Sequence, residues 1–155
     1  MAEYLVIRLP EHPGDAASWI AVDSSGTRIS APATGPLELA AQSAGDRDVI
    51  ALVPAAGVLT MSVDIPIKRG PRLLAALPFA LEEQLASDVE DLHFALGNPL
   101  DDDRYPVAVV GRQQMDAWTD LLREAGISAH RWVPETLALP REENGWSLLP
   151  DGERV

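Results

Sequence analysis

Apolar and polar positions alternate from the start of the chain. In EYLVIRLP, residues 3–10, Leu5, Ile7 and Leu9 fall on one side and Tyr4, Val6 and Arg8 on the other, the period of a half-buried strand. PEHPGD then interrupts the pattern with two prolines and a glycine. SWIAV, the turn DSSG and TRIS read as a hairpin, and APATGP as a loop. Pro36 suits the first turn of a short helix, LELAAQSA, which Gly45 closes because glycine takes a left-handed cap without strain. DVIALVP follows as a nearly all-apolar strand, as in a sheet covered on both faces.

A second block opens at Val58. VLTMSVDI alternates, which places Leu59, Met61, Val63 and Ile65 inward and Thr60, Ser62 and Asp64 outward. PIKRGP turns the chain into a helical stretch in which Leu74, Leu77, Leu81 and Leu85 recur at helical spacing. Pro78 cannot donate to the carbonyl of Leu74, so the stretch is expected to kink there or to restart as a second helix at Pro78. LHFALG reads as a short strand, NPLDDDRYP as a loop and VAVVG as a buried strand. A helix from about Arg112 to Ala125 gathers Met115, Trp118, Leu121 and Leu122 on one face, and Gly126 caps it. ISAHRWV is a further strand, PETLAL a short helix, PREENG a turn, and WSLLPDGERV the beginning of a strand that stops abruptly.

The element order predicts an α/β (α+β) fold. Residues 1–57 and 128–155 form an RNase H-like layer, and residues 58–127 a small β-α-β-β-α unit inserted into it. No helix, cap or polar tail closes WSLLPDGERV, so the chain is expected to belong to a longer protein. Its 155 residues suffice for one ordinary domain or two small ones, burying roughly 68–70% of the unfolded surface.

Charge narrows the set of partners. Twelve Lys and Arg against twenty-four Asp and Glu give a net charge of −12. That balance opposes nucleic-acid binding, which rests on basic side chains displacing counterions, and opposes adsorption to anionic lipid. A basic or mixed-charge protein partner fits better. The absence of cysteine excludes thiolate metal sites, cysteine nucleophiles and disulfides. No signal peptide is read at the N-terminus and no apolar run approaches the roughly 20 residues of a membrane span, so the chain is expected to be soluble and cytoplasmic.

The densest cluster of chemically capable residues is LPFALEEQLASDVEDLHFALG, residues 77–97. Glu90-x-x-His93 has the spacing of a di-iron carboxylate motif, but such sites need two copies and further glutamates on a four-helix bundle. Here a single copy enters a strand, where residues three apart face opposite sides. Glu82 and Glu83 diverge by about 100° on a helix, so they do not converge as the paired carboxylates of an acidic hydrolase. Asp101, Asp102 and Asp103 lack the further donors and the glycine of a calcium loop. The three histidines, His12, His93 and His130, form no triad pattern, and no glycine-rich phosphate loop is present; VDSSGT is a hairpin turn. Trp19, Trp118, Trp132 and Trp146 are spread singly, without the basic neighbours of a base-stacking platform. No catalytic residue, cofactor or metal is therefore assigned, and the residues point to binding or scaffolding.

Four stretches in order, LVPAAGVLTMSVDIP, ALPFALEEQLASDVEDLHFALG, YPVAVVGRQQMDAWTDLLREAGI and VPETLALP, closely resemble the N-terminal cytoplasmic region of the type II secretion system protein L family. A weaker form of the layout occurs in type IV pilus assembly protein M and the division protein FtsA. The resemblance implies an actin-like fold with a subdomain inserted in its first half, and residues 145–155 as the start of a truncated second half. It implies an adaptor at the cytoplasmic side of the bacterial inner membrane, whose partner is the N-terminal domain of the secretion ATPase, protein E. Contacts with other inner-membrane platform proteins, and the transmembrane helix, would lie in parts of the protein outside this chain; a homodimer is also compatible. Actin-like ATPases carry an Asp-x-Gly phosphate loop between their first two strands, and PEHPGDAASW lacks it. An actin-like nucleotide-binding ATPase of the protein M type is the alternative. The partner-binding surface is expected on the inserted unit, where both charge signs crowd near its helix: Lys68, Arg69, Arg72, Glu82, Glu83, Asp88, Glu90 and Asp91.

Overall fold

A computed structural model describes residues 3–65, 71–140, 145, 147 and 148. The chain divides into two compact units, Met1–Ala55 with Leu121–Val155, and Ala56–Asp120.

The first unit is built on a five-stranded sheet in the order β3-β2-β1-β4-β8. β1 (Glu3–Arg8), β2 (Ala17–Asp23) and β3 (Ala33–Gly35) are antiparallel neighbours, whereas β4 (Asp48–Val53) runs parallel to β1 and β8 (Arg131–Pro134) parallel to β4. Three antiparallel strands followed by two parallel ones form the RNase H-like layer, and the fold is α/β. The alternation in β1 survives intact: Leu5, Ile7 and Leu9 are buried, and Ile7 stands between Trp19 on β2 and Ala51 on β4. α1 (Leu37–Ala44) places Leu37 and Ala40 in the core, with Pro36 at its N-cap and Gly45 at φ +53 after its last turn.

Two details of the first unit differ from the sequence reading. The hairpin beyond DSSG is held by a single bridge, Val22 to Arg28, and by the Ile29 N–H to the Ala21 carbonyl (2.9 Å). The third strand of the sheet lies instead within APATGP, read above as loop. It is three residues long, Ala33–Gly35, and a Cβ at Gly35 would meet Leu39 and the Trp19 ring at 3.5 and 3.6 Å, ordinary van der Waals contact.

The second unit carries a three-stranded antiparallel sheet, β5-β7-β6, of β5 (Leu59–Val63), β7 (Tyr105–Gly111) and β6 (Leu92–Leu96), with α2 (Pro71–Leu81) on its inner face. Rows of side chains cross that face: Leu59, Val109 and Phe94; then Met61, Val107 and Leu96; then Val63 and Tyr105. Leu73, Leu77 and Leu81 of α2 pack on Val63, Ile65, Tyr105 and Val107. With α3 (Arg112–Glu124) the element order is β-α-β-β-α, as read from the sequence; the boundary between the two units falls within α3. α3 ends in a Schellman motif, the Ile127 N–H reaching the Leu122 carbonyl (2.8 Å) and the Gly126 N–H the Arg123 carbonyl (3.0 Å).

α2 corrects three expectations. The buried stripe is Leu73, Leu77 and Leu81, at successive spacings of four; Leu74, about 60° off that stripe, is 53% exposed. The helix runs unbroken through Pro78, so no second helix begins there; Pro78 has no N–H to give the Leu74 carbonyl, and Leu74 itself is exposed. It also ends at Leu81. Glu82–Gln84 tighten into a 3-10 turn and Leu85 is extended, packing on the edge of the core without being helical.

Candidate functional site

The acidic stretch after α2 is a run of short turns rather than a helix face. Glu82 and Glu83 lie in the first 3-10 turn, Glu90 and Asp91 in a second, Val89–Asp91, and Asp88 just before it. All five carboxylates are exposed, as is Arg72 on α2; Lys68 and Arg69 lie outside the described residues. The turns bring the acids along one segment without converging them on a point. Among the described residues no group of three His, Asp or Glu side chains is placed to hold a metal ion. Glu90 contributes its backbone: its carbonyl accepts a hydrogen bond from Arg112 Nε (2.6 Å). His93 points out of β6, exposed.

Between the two acidic turns the chain does something the sequence pattern did not suggest. Leu85, Ala86 and Ser87 form one wall of an open cleft of about 420 Å³, whose other wall is Ala56–Leu59 and whose floor is Leu92, Val109 and Val110. The inward leucines of α2 join the buried cluster with Val63, whereas Leu59 at the other end of β5 stays half exposed. Leu59 keeps the inward side of β5 that the alternation gave it, yet remains 49% exposed. Alternation reports which face a side chain takes, not how far the covering helix extends. Phe79, on the side of α2 turned away from the core, is 77% exposed and adds to the apolar surface of the same unit.

A second cleft, of about 310 Å³, lies at the turn between β1 and β2, where an actin-like ATPase would hold its first phosphate loop. It is lined by Arg8, Glu11, His12, Asp15, Ser18 and Glu135 among others. Glu135 organises it. One carboxylate oxygen accepts from Arg8 Nε (2.8 Å) and the other from the Ala55 amide (2.9 Å). His12 pairs with Asp15 at 3.5 Å. Three carboxylates around a cleft whose arginine is already neutralised disfavour a polyphosphate.

His130 is likewise structural. The Val49 amide donates to its Nδ1 (3.0 Å), while the His130 amide donates to the Val49 carbonyl (2.8 Å), so the ring locks the start of β8 onto β4. With Nδ1 accepting, the hydrogen sits on Nε2, 3.4 Å from Asp48.

Comparison with known proteins adds to this geometry. The family model for type II secretion system (T2SS), protein L matches residues 5–155. Protein L of Dickeya chrysanthemi is 33% identical over 150 residues, 95% of this chain and 37% of that protein. Protein L of Vibrio cholerae is 32% identical over 162 residues, 99% of this chain and 38% of that protein. Among solved structures, the cytoplasmic domain of EpsL, an inner membrane component of the type II secretion system of Vibrio cholerae, superposes with a TM-score of 0.74 at 30% identity, covering 92% of this chain and 61% of that one. The chain thus spans little more than a third of the length of the relatives it matches. With a family model matched along almost all of its residues, it belongs to the type II secretion system protein L family.

Proposed function

We propose that this chain is the docking part of an adaptor on the cytoplasmic side of the bacterial inner membrane, which binds the N-terminal domain of the secretion ATPase and couples that motor to the membrane platform. In this reading the chain performs no chemistry of its own. The observation that carries it is the family match over residues 5–155, together with a solved relative described as an inner membrane component of the same system. The exposed carboxylates Glu82, Glu83, Asp88, Glu90 and Asp91, with Arg72, supply a surface suited to choosing a partner and speeding its approach. No helix among the described residues is long and apolar enough to cross a membrane.

The test is calorimetric titration of the ATPase N-terminal domain into this chain. Binding is expected, and the double charge reversal Glu82→Lys/Glu83→Lys should weaken it and flatten its salt dependence. An unchanged affinity in that double variant moves the surface elsewhere; no binding by the unaltered chain removes the reading. The nucleotide-binding alternative gives a different signature. A ligand at a hundredfold excess over its Kd stabilises a fold by about 2.7 kcal/mol, so magnesium–ATP would raise the melting temperature. A flat response is expected from the carboxylates lining the β1–β2 cleft.

A further inference from the structure

We infer that the open cleft at the Leu59 end of the inserted sheet receives an apolar side chain from a basic amphipathic segment of a protein partner. The inference rests on the docking function proposed above and names the chemistry of the segment that docks.

The cleft has the two properties such a segment reads. Its interior is apolar: Val58, Leu59, Leu85, Ala86, Leu92 and Val109 line it, the floor buried and the walls open. At about 420 Å³ it accommodates one or two large side chains of the kind that anchor protein interfaces. Exposed acidic residues adjoin its rim in sequence. The wall Leu85–Ser87 is bracketed in sequence by Glu82 and Glu83 before it and by Asp88, Glu90 and Asp91 after it, all exposed. Among the described residues Arg112 reaches this segment, its Nε donating to the Glu90 carbonyl.

Charge complementarity selects the occupant. An acidic or neutral segment would bring no counter-charge to the five exposed carboxylates that bracket the Leu85–Ser87 wall, and like-charge juxtaposition selects against such a partner. A second copy of this chain brings a further −12 to a chain already at −12, which opposes that pairing on the same grounds. A segment with leucine, isoleucine or phenylalanine on one side and lysine or arginine on its flanks satisfies both floor and rim. The apolar anchor supplies the affinity, whereas the rim charges mainly set approach rate and partner choice.

The experiment uses the ATPase N-terminal domain as the probe and four variants of this chain. Ala86→Trp fills the cleft from an exposed wall. Leu59→Lys places a cation in it from a second, independent wall. Glu82→Lys/Glu83→Lys inverts part of the rim. Glu38→Lys, at an exposed position of α1, makes a charge reversal on the unit that does not contain the cleft. Circular dichroism melting of each variant accompanies the binding curves, and either cleft variant that melts like the parent suffices for the test. The expected result is a loss of tenfold or more in affinity for Ala86→Trp and Leu59→Lys, a smaller loss and shallower salt dependence for the rim variant, and no change for Glu38→Lys.

Parent-like binding by a folded cleft variant overturns the inference while leaving the docking function standing. Absence of binding by the unaltered chain overturns both. Binding that strengthens or stays constant as salt rises rules out the basic occupant. Dimerisation of this chain that Leu59→Lys abolishes, measured by sedimentation, assigns the cleft to a second copy and overturns the inference as well.

Discussion

Gly97 shows how a single hydrogen atom can be a packing requirement. Its amide donates to the Pro106 carbonyl (2.9 Å) at the end of the β6–β7 ladder, and a Cβ placed on it would stand 2.7 Å from Pro106 Cγ. The backbone there is not in the left-handed region, so the constraint is space alone. The proline ring cannot rotate away, and Gly97→Ala is expected to destabilise the second unit by about 1–3 kcal/mol, the usual effect of overpacking, measured by urea denaturation. Asp23 shows a different kind of local order. The Ser25 hydroxyl (2.6 Å), opposed by some desolvation and assisted by the Ser25, Thr27 and Gly26 amides, holds its carboxyl below the usual carboxylate range. A pKa depressed by folding contributes stability above the unfolded-state value and loses it as pH falls through the folded one. Asp23→Ala should therefore be less stable than the parent at neutral pH, with the difference closing in acid below the usual carboxylate range; paired denaturation curves at the two pH values check it. The turn itself was legible, since Asp, Ser and Gly announce it. Gly97 was not, because nothing in LGNPL says which residue will lie across from it.

At the scale of elements, periodicity identified every helix and most strands among the described residues but misjudged where coverage stops. The alternation of β1 and the spacing of Met115, Trp118, Leu121 and Leu122 on α3 both translate directly into buried and half-buried positions. For α2 the spacing Leu74, Leu77, Leu81, Leu85 fits a helix as well as Leu73, Leu77, Leu81 does, and only tertiary packing chooses between them. Leu77→Ala, at a fully buried position in that stripe, should cost about 2–5 kcal/mol, whereas Leu74→Ala should stay within about 0.5 kcal/mol of the parent; chemical denaturation of both separates the two stripes. The same ambiguity concealed the cleft. It lies beside the segment Leu85–Ser87 that follows α2 and the 3-10 turn Glu82–Gln84, and the leucine spacing alone does not show that the helix ends at Leu81. β5 is also an edge strand, and Arg104 Nη2 donates to its Ser62 carbonyl (2.6 Å), occupying one of the acceptors that an invading strand would use.

The whole molecule consists of a layer interrupted by an insertion. The inserted unit owns a nine-residue buried cluster from Val63 to Val109, which contains no residue of the other unit. Chains of this size lie at the lower limit of independent folding. We expect the isolated segment 56–120 to fold, giving a dispersed amide spectrum and a cooperative melt; a collapsed spectrum would show that it needs the layer around it. The family was legible from four short stretches in order, while the proposed docking surface was legible only as a run of charges. Sequence located the acids, and the structure separated them into two turns flanking an apolar cleft. Charge is visible in a list of residues; concavity is not.

The parallel pairing of β4 with β8 carries a consequence for how the chain is made. Val49 and His130, joined through amide and imidazole, are 81 positions apart. At about 5–20 residues per second, a ribosome reaches the fifth strand roughly 4–16 s after the fourth has been synthesised. Throughout that interval the insertion can complete its own fold while β4, an apolar run from Val49 to Val53, presents an unsatisfied edge. The nascent protein is most vulnerable to mispairing in this window, and the short stretch from His130 to Pro134 ends it.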